Sequence, residues 1–82
     1  MWLDIEITDL NNIPWRVIVA TDKLSYIQVS KDECRVMVDK LGEFQFKTSE
    51  ECATCYNGFK MALNGSIAMM PGIGHIKPIV LS

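Results

Sequence analysis

The hydrophobic period of this chain changes once, at Thr48, and that change restricts the folds open to it. Upstream, apolar residues recur at every second position, the period of strands; downstream they recur every third or fourth, the period of a helix. "WLDIEIT" alternates without a fault: Leu3, Ile5 and Ile7 share one side, and Asp4, Glu6 and Thr8 the other. That is the pattern of a strand with one face buried. Asn11, Asn12 and Pro14 supply a turn, and "WRVIVA" resumes with Trp15, Val17 and Val19 opposite Arg16 and Ile18, as in a hairpin. "LSYIQVS" is rich in strand formers but slips parity between Tyr26 and Ile27, which predicts a bulge or a two-sided strand. "CRVMVD" sets Cys34, Val36 and Val38 inward, Gly42 permits a reversal, and Phe44 and Phe46 continue the inward face.

Thr48 and Glu51 have the spacing of a capping box, with Glu50 and Glu51 in the first turn where a helix favours anions. Cys52, Cys55, Tyr56, Phe59, Ala62 and Leu63 form one apolar stripe before Asn64 and Gly65 stop the helix. The fold class expected is α+β: an antiparallel β-meander of about five strands, then one amphipathic helix packed on one face. An extended C-terminal arm or edge strand completes it. The expected organisation is a single domain over residues 1–65 and an apolar arm over 66–82.

A chain of 82 residues buries only about 60–65% of the surface it exposes when unfolded. Eight basic residues stand against ten acidic ones and nowhere cluster, so there is no field to attract nucleic acid or anionic lipid. The first residues lack the basic and apolar regions of a secretory leader. The longest uncharged stretch, 64–76, is broken by Gly and Pro and too short for a membrane helix. Three cysteines, an odd number, suit a reducing compartment, so a cytoplasmic location is expected.

"ECATCYNGF" carries a CxxC, and Cys34, Cys52, Cys55 and His75 are arithmetically one Cys3His set for zinc. The same spacing is the i, i+3 step of the helix stripe, and buried thiols pack as small hydrophobes. Packing is the preferred reading, and no cofactor is expected. A redox role is disfavoured because Glu50 and Glu51 raise a neighbouring thiol pKa. His75 is the only histidine, no motif assigns it a catalytic partner, and "PGIG" lacks the rest of a phosphate loop, so no enzyme is expected.

"GSIAMMPGIGHIKPIVLS" is apolar with one charge, Lys77, and its prolines forbid a continuous helix. It must fold back as a strand of edge type, since Pro78 cannot donate, or dock on another chain. Together with a sheet face left uncovered by one helix, this points to contact residues Ile18, Met37, Met61, Met69, Met70, Ile73, Ile76, Ile79, Val80 and Leu81. The functional expectation is a small protein–protein interaction module that self-associates through its arm and outer sheet face. A phage-type inhibitor that blocks a host protein is the second reading, and a structural Cys3His zinc domain the third.

Over residues 18–63, the order of "DKLSYI", a hairpin around "KLGE", "FQFK" and a Ser-Glu-Glu helix start resembles the small FlbD-type proteins associated with bacterial flagellar operons. The resemblance implies a β-meander followed by a helix. The chain departs from that pattern in lacking an Asn before the "D-x-I" segment and the Gly-Lys turn, and in adding the C-terminal tail. No functional residue carries over.

Overall fold

The computed structural model describes residues 1–81. Seven strands, one short 3-10 turn (Thr21–Lys23) and one helix follow the chain: β1 (Trp2–Thr8), β2 (Pro14–Ala20), β3 (Ile27–Ser30), β4 (Arg35–Val38), β5 (Gly42–Gln45), α1 (Ser49–Leu63), β6 (Ala68–Met70) and β7 (Gly74–Ile79). All pairings are antiparallel, and the class is α+β. The five strands before the helix are divided between two sheets. β3, β4 and β5 form the three-stranded meander, while β1 and β2 join the two strands after the helix in the order β2-β1-β7-β6.

The alternation in β1 produces this division. Leu3, Ile5 and Ile7 are fully buried, and a strand so apolar on one face needs neighbours on both sides to complete its core layer. β2 supplies one neighbour and β7 the other, with Ile5 paired to Val17 on one side and Ile76 on the other. The residues expected to be an arm therefore complete the core: Ala68, Met70, Ile73 and Ile76 are all at most 5% exposed.

β7 is an interior strand over Gly74–Ile76, where β6 flanks it, and an edge strand beyond. Pro78 lies in that second part. The Thr8 N–H donates to the Ile73 carbonyl at 2.8 Å, so hydrogen-bonded pairs between β1 and β7 fall at Thr8, Glu6, Asp4 and Trp2 by alternation. The Leu3–Pro78 pair is then non-bonded, and the nitrogen of Pro78 faces away from β1 where no hydrogen is required. Met70, Pro71, Gly72 and Ile73 make the turn from β6 to β7. The Ile73 N–H donates to the Met70 carbonyl at 2.9 Å, and Gly72 holds φ +81° at the position where a Pro-Gly type II turn needs it.

The helix begins and ends as its sequence signals. The Glu51 N–H donates to Thr48 Oγ1 at 3.1 Å, satisfying one of the free amides of the first turn. At the other end the Gly65 N–H reaches the Ala62 carbonyl and the Ser66 N–H the Met61 carbonyl, at 3.0 and 2.9 Å, with Gly65 at φ +89°. These are the paired bonds of a Schellman stop. Cys52, Cys55, Gly58, Phe59 and Ala62 are buried on one side of α1, which packs on β6 and β7 of one sheet and on β3 and β4 of the other. The helix is the wedge that joins the two sheets, whose inner faces add Val36, Val38, Phe44 and Phe46 to the core. The expected bulge or two-sided strand is replaced by a later start: β3 begins only at Ile27, and Leu24–Tyr26, on the other side of the parity slip, lie outside any strand.

Candidate interaction surface

Strand register sets out the outward face of the four-stranded sheet in rows. Ala20, Trp2 and Ile79 form one row; Ile18, Asp4 and Lys77 the next; Arg16, Glu6, His75 and Met69 a third. The first row, with Ile18 beside it, is an apolar corner: Trp2 is 38% exposed and Ile18 51%. Val80 and Leu81, the former 94% exposed, extend the chain from Ile79 at the same corner.

The third row is polar. His75 lies between two carboxylates, with Nε2 3.7 Å from Asp4 and Nδ1 3.7 Å from Glu6. Both distances exceed a hydrogen bond, and Asp4 Oδ1 and His75 Nε2 are buried without a hydrogen-bond partner. The row holds an acid and a base but no nucleophile. Cys52 and Cys55 are buried in the core, whereas His75 shares the outward side of its sheet with Glu6 and Met69. No Cys-His arrangement is assembled.

The same opposition breaks the Cys3His set. Cys34, Cys52 and Cys55 approach one another, but His75 belongs to the far side of the sheet, and among the described residues no group of three or more His, Cys, Asp or Glu side chains is placed to hold a metal. Burial, with smaller contributions from Cys34 and Glu51, pushes the Cys52 thiol up to about 11. Burial, followed by the charge of Cys52, pushes Cys55 up to about 12. Thiols held protonated in this way are poor nucleophiles at neutral pH. Cys52 and Cys55 of the CxxC lie packed in the core.

The expected contact residues separate. Met70, Ile73 and Ile76 are corrected outright: their side chains fill the core and are not available to a partner. Ile18, Met69, Ile79, Val80 and Leu81 remain at the surface around the four-stranded sheet. Met37 and Met61 are exposed but on other elements, the outer face of β4 and the outside of α1. Met37 borders a shallow depression of about 450 Å³ with Gln28, Arg35 and Glu43. Arg35 already pairs there with Glu43 at 3.2 Å and Glu33 at 3.6 Å, so its own charge is engaged.

Sequence reasoning missed the open edge of β2. The Thr21 N–H donates to the Met1 carbonyl at 2.9 Å, which continues the β1–β2 register and makes odd residues the bonded ones: Val19, Val17 and Trp15 face β1. Arg16, Ile18 and Ala20 therefore direct their N–H and C=O groups away from the sheet, where among the described residues no strand pairs with them. Pro14, which has no N–H to give, starts the strand on that open side. Trp15 and Val17, on the inward face, are also partly exposed because β2 overhangs the core. Trp15 is held by a T-shaped contact to Phe44, centroids 5.8 Å apart, and by its indole N–H donating to Asp9 at 3.1 Å. The signal for this edge was present in "PWRVIVA": a proline at a strand start followed by a single charge.

Comparison of the chain with protein-family models, with curated proteins and with solved structures gives no match in any of the three.

Proposed function

We propose that this chain is a non-enzymatic protein-interaction module whose contact surface is the apolar corner of the four-stranded sheet and the β2 edge beside it. The supporting observation is that Trp2, Ile18, Val80 and Leu81 are exposed around that corner, beside a sheet edge whose backbone groups are unpaired among the described residues, with Trp15 and Val17 partly exposed on the inward side of the same edge strand. Exposed aromatic and branched side chains grouped in this way are what contact surfaces use. Fully covering one such side chain is worth about 1.5–3 kcal/mol, and these are already partly covered, so several must be engaged together.

A photo-crosslinking residue placed at Ile79, with Lys31 of the β3–β4 turn as control position, tests the reading. Discrete adducts, with the same chain or another protein, should form from position 79 and not from position 31. No discrete adduct above the control across the accessible concentration range refutes it.

A further inference from the structure

We infer that β2 is the pairing strand of a homodimer: two copies join edge to edge, antiparallel, with Ile18 of one opposite Ile18 of the other. The inference rests on the interaction reading above and names the partner and the element that meets it.

An open strand edge specifies its occupant more narrowly than an apolar patch does, because its donors and acceptors alternate at fixed spacing and only another extended backbone satisfies them. Proteins blunt such edges by shortening them or loading them with charge and proline. The other edge of this sheet, β6, has three residues, whereas β2 has seven, with one charge and with its only proline at the first position. Its open groups belong to Arg16, Ile18 and Ala20.

Self-pairing fits the side chains as well as the backbone. With Ile18 on the twofold axis, Ile18 meets Ile18 of the second copy on the outward face, and Arg16 meets Ala20, the smallest side chain of the strand. The two Arg16 side chains then stand about four strand residues apart, roughly 13 Å, beyond the screening length of about 8–10 Å at ordinary salt. A shift of two residues toward Pro14 sets Arg16 across from Ile18, brings the two arginines to about half that distance and brings Pro14 into the ladder, where its missing N–H loses a bond. The inward faces pair Val17 with Val19, extending the partly exposed strip of β2 into a continuous apolar layer. Ile18 lies beside Trp2 and Ala20, so the new interface is continuous with the apolar corner.

Sedimentation of the full chain over a concentration series, combined with residue-resolved amide exchange, tests the inference. The expected result is a concentration-dependent dimer in which the Ile18 and Ala20 amides exchange at least about tenfold more slowly than in dilute samples. The Val17 and Val19 amides, bonded within the monomer, should not change. Ile18→Lys sets two ammonium groups together at the axis and should weaken association at least about tenfold with the circular dichroism unchanged, while Met69→Lys, at the opposite edge, leaves it intact. A strict monomer overturns the inference. A dimer whose Ile18 and Ala20 amides stay unprotected also overturns it but leaves the interaction reading standing, and the adducts from position 79 decide that reading separately.

Discussion

Gly74 is the position at which this fold tolerates a side chain least. Its φ is +145°, and a Cβ there collides with the Glu6 carbonyl oxygen, lies 2.7 Å from the Glu6 carbonyl carbon and 3.2 Å from Ile7 Cα. All three are backbone atoms of β1, so no rotamer change relieves the contact. Gly74→Ala costs stability by two routes at once: it forces an L residue into that backbone region, at about 1–3 kcal/mol, and it pushes β7 off β1. The second route weakens the bonds at the neighbouring Thr8–Ile73 and Glu6–His75 pairs, each worth about 1 kcal/mol net. Together the loss comes to about 3–5 kcal/mol, against a total of about 5–15 kcal/mol for a domain.

Two other glycines separate these contributions. Gly65 has φ +89° and open space around it, so Gly65→Ala costs only the left-handed backbone, about 1–2 kcal/mol. Gly58 lies in the helix, and an added Cβ would come 2.6 Å from Met70 Sδ and 3.4 Å from Ala68 Cβ. Gly58→Ala gains about 1 kcal/mol of helix propensity and loses about 1–3 kcal/mol to crowding, which a flexible methionine lightens, for a net loss of about 0–2 kcal/mol. Urea denaturation followed by circular dichroism measures all three. At about 4–8 °C per kcal/mol for a chain of this size, Gly74→Ala should also melt roughly 12–40 °C below the parent. A Gly74→Ala variant within about 1 kcal/mol of Gly65→Ala would show that the β1–β7 approach does not constrain the fold as described.

The thiols give a pH prediction. Both Cys52 and Cys55 have folded values raised, to about 11 and about 12, from a reference of 9.0, so the fold favours their neutral form. That contribution is fully present below pH 9 and is lost as pH rises from 9 toward 11–12, at about 1.4 kcal/mol per unit for each thiol; urea midpoints of Cys55→Ala should fall less steeply over that window than those of the parent. Thr48→Ala removes the acceptor for the Glu51 amide and should cost about 1 kcal/mol, with Thr48→Ser restoring it in thermal melts. Asp9 accepts from the Asn11 and Ile13 amides and the Trp15 indole at 2.9, 3.3 and 3.1 Å; Asp9→Ala should cost about 1–2 kcal/mol and shift Trp15 emission, read in a Trp2→Phe background. Added zinc or chelator should leave the melting curve unchanged, since His75 does not join the cysteines.

Where a sequence signal is local, the chain is legible. Leu3, Ile5 and Ile7, the Thr48 cap, the Gly65 stop and the inward Val36, Val38, Phe44 and Phe46 are set by neighbours a few residues away, and alternation or helical period reveals them. The pairing of β1 with β7 joins residues some seventy positions apart, and no local pattern records it. Without that pairing the apolar tail read as a surface in search of a partner, and Met70, Ile73 and Ile76 were grouped with Met69. Period two in "AMM" would have divided them, because Ala68 and Met70 face the helix while Met69 is 71% exposed. Gly58 was silent for a similar reason: a glycine inside a helix signals close approach only when the approaching strand is known. The open edge of β2 likewise depends on which side of it β1 occupies.

The placement of β7 between β1 and β6 has a consequence for the order of folding. β2 reaches β1 through a short turn, whereas β7 must close a loop of some seventy residues before it pairs. Until then Leu3, Ile5 and Ile7 have only β2 beside them, and a two-stranded ribbon is marginal by itself. Closing so long a loop late in the chain is slow relative to local hairpins. The chain therefore holds its most apolar strand incomplete until that long loop closes, and folding of the four-stranded sheet is paced by this closure rather than by its local hairpins.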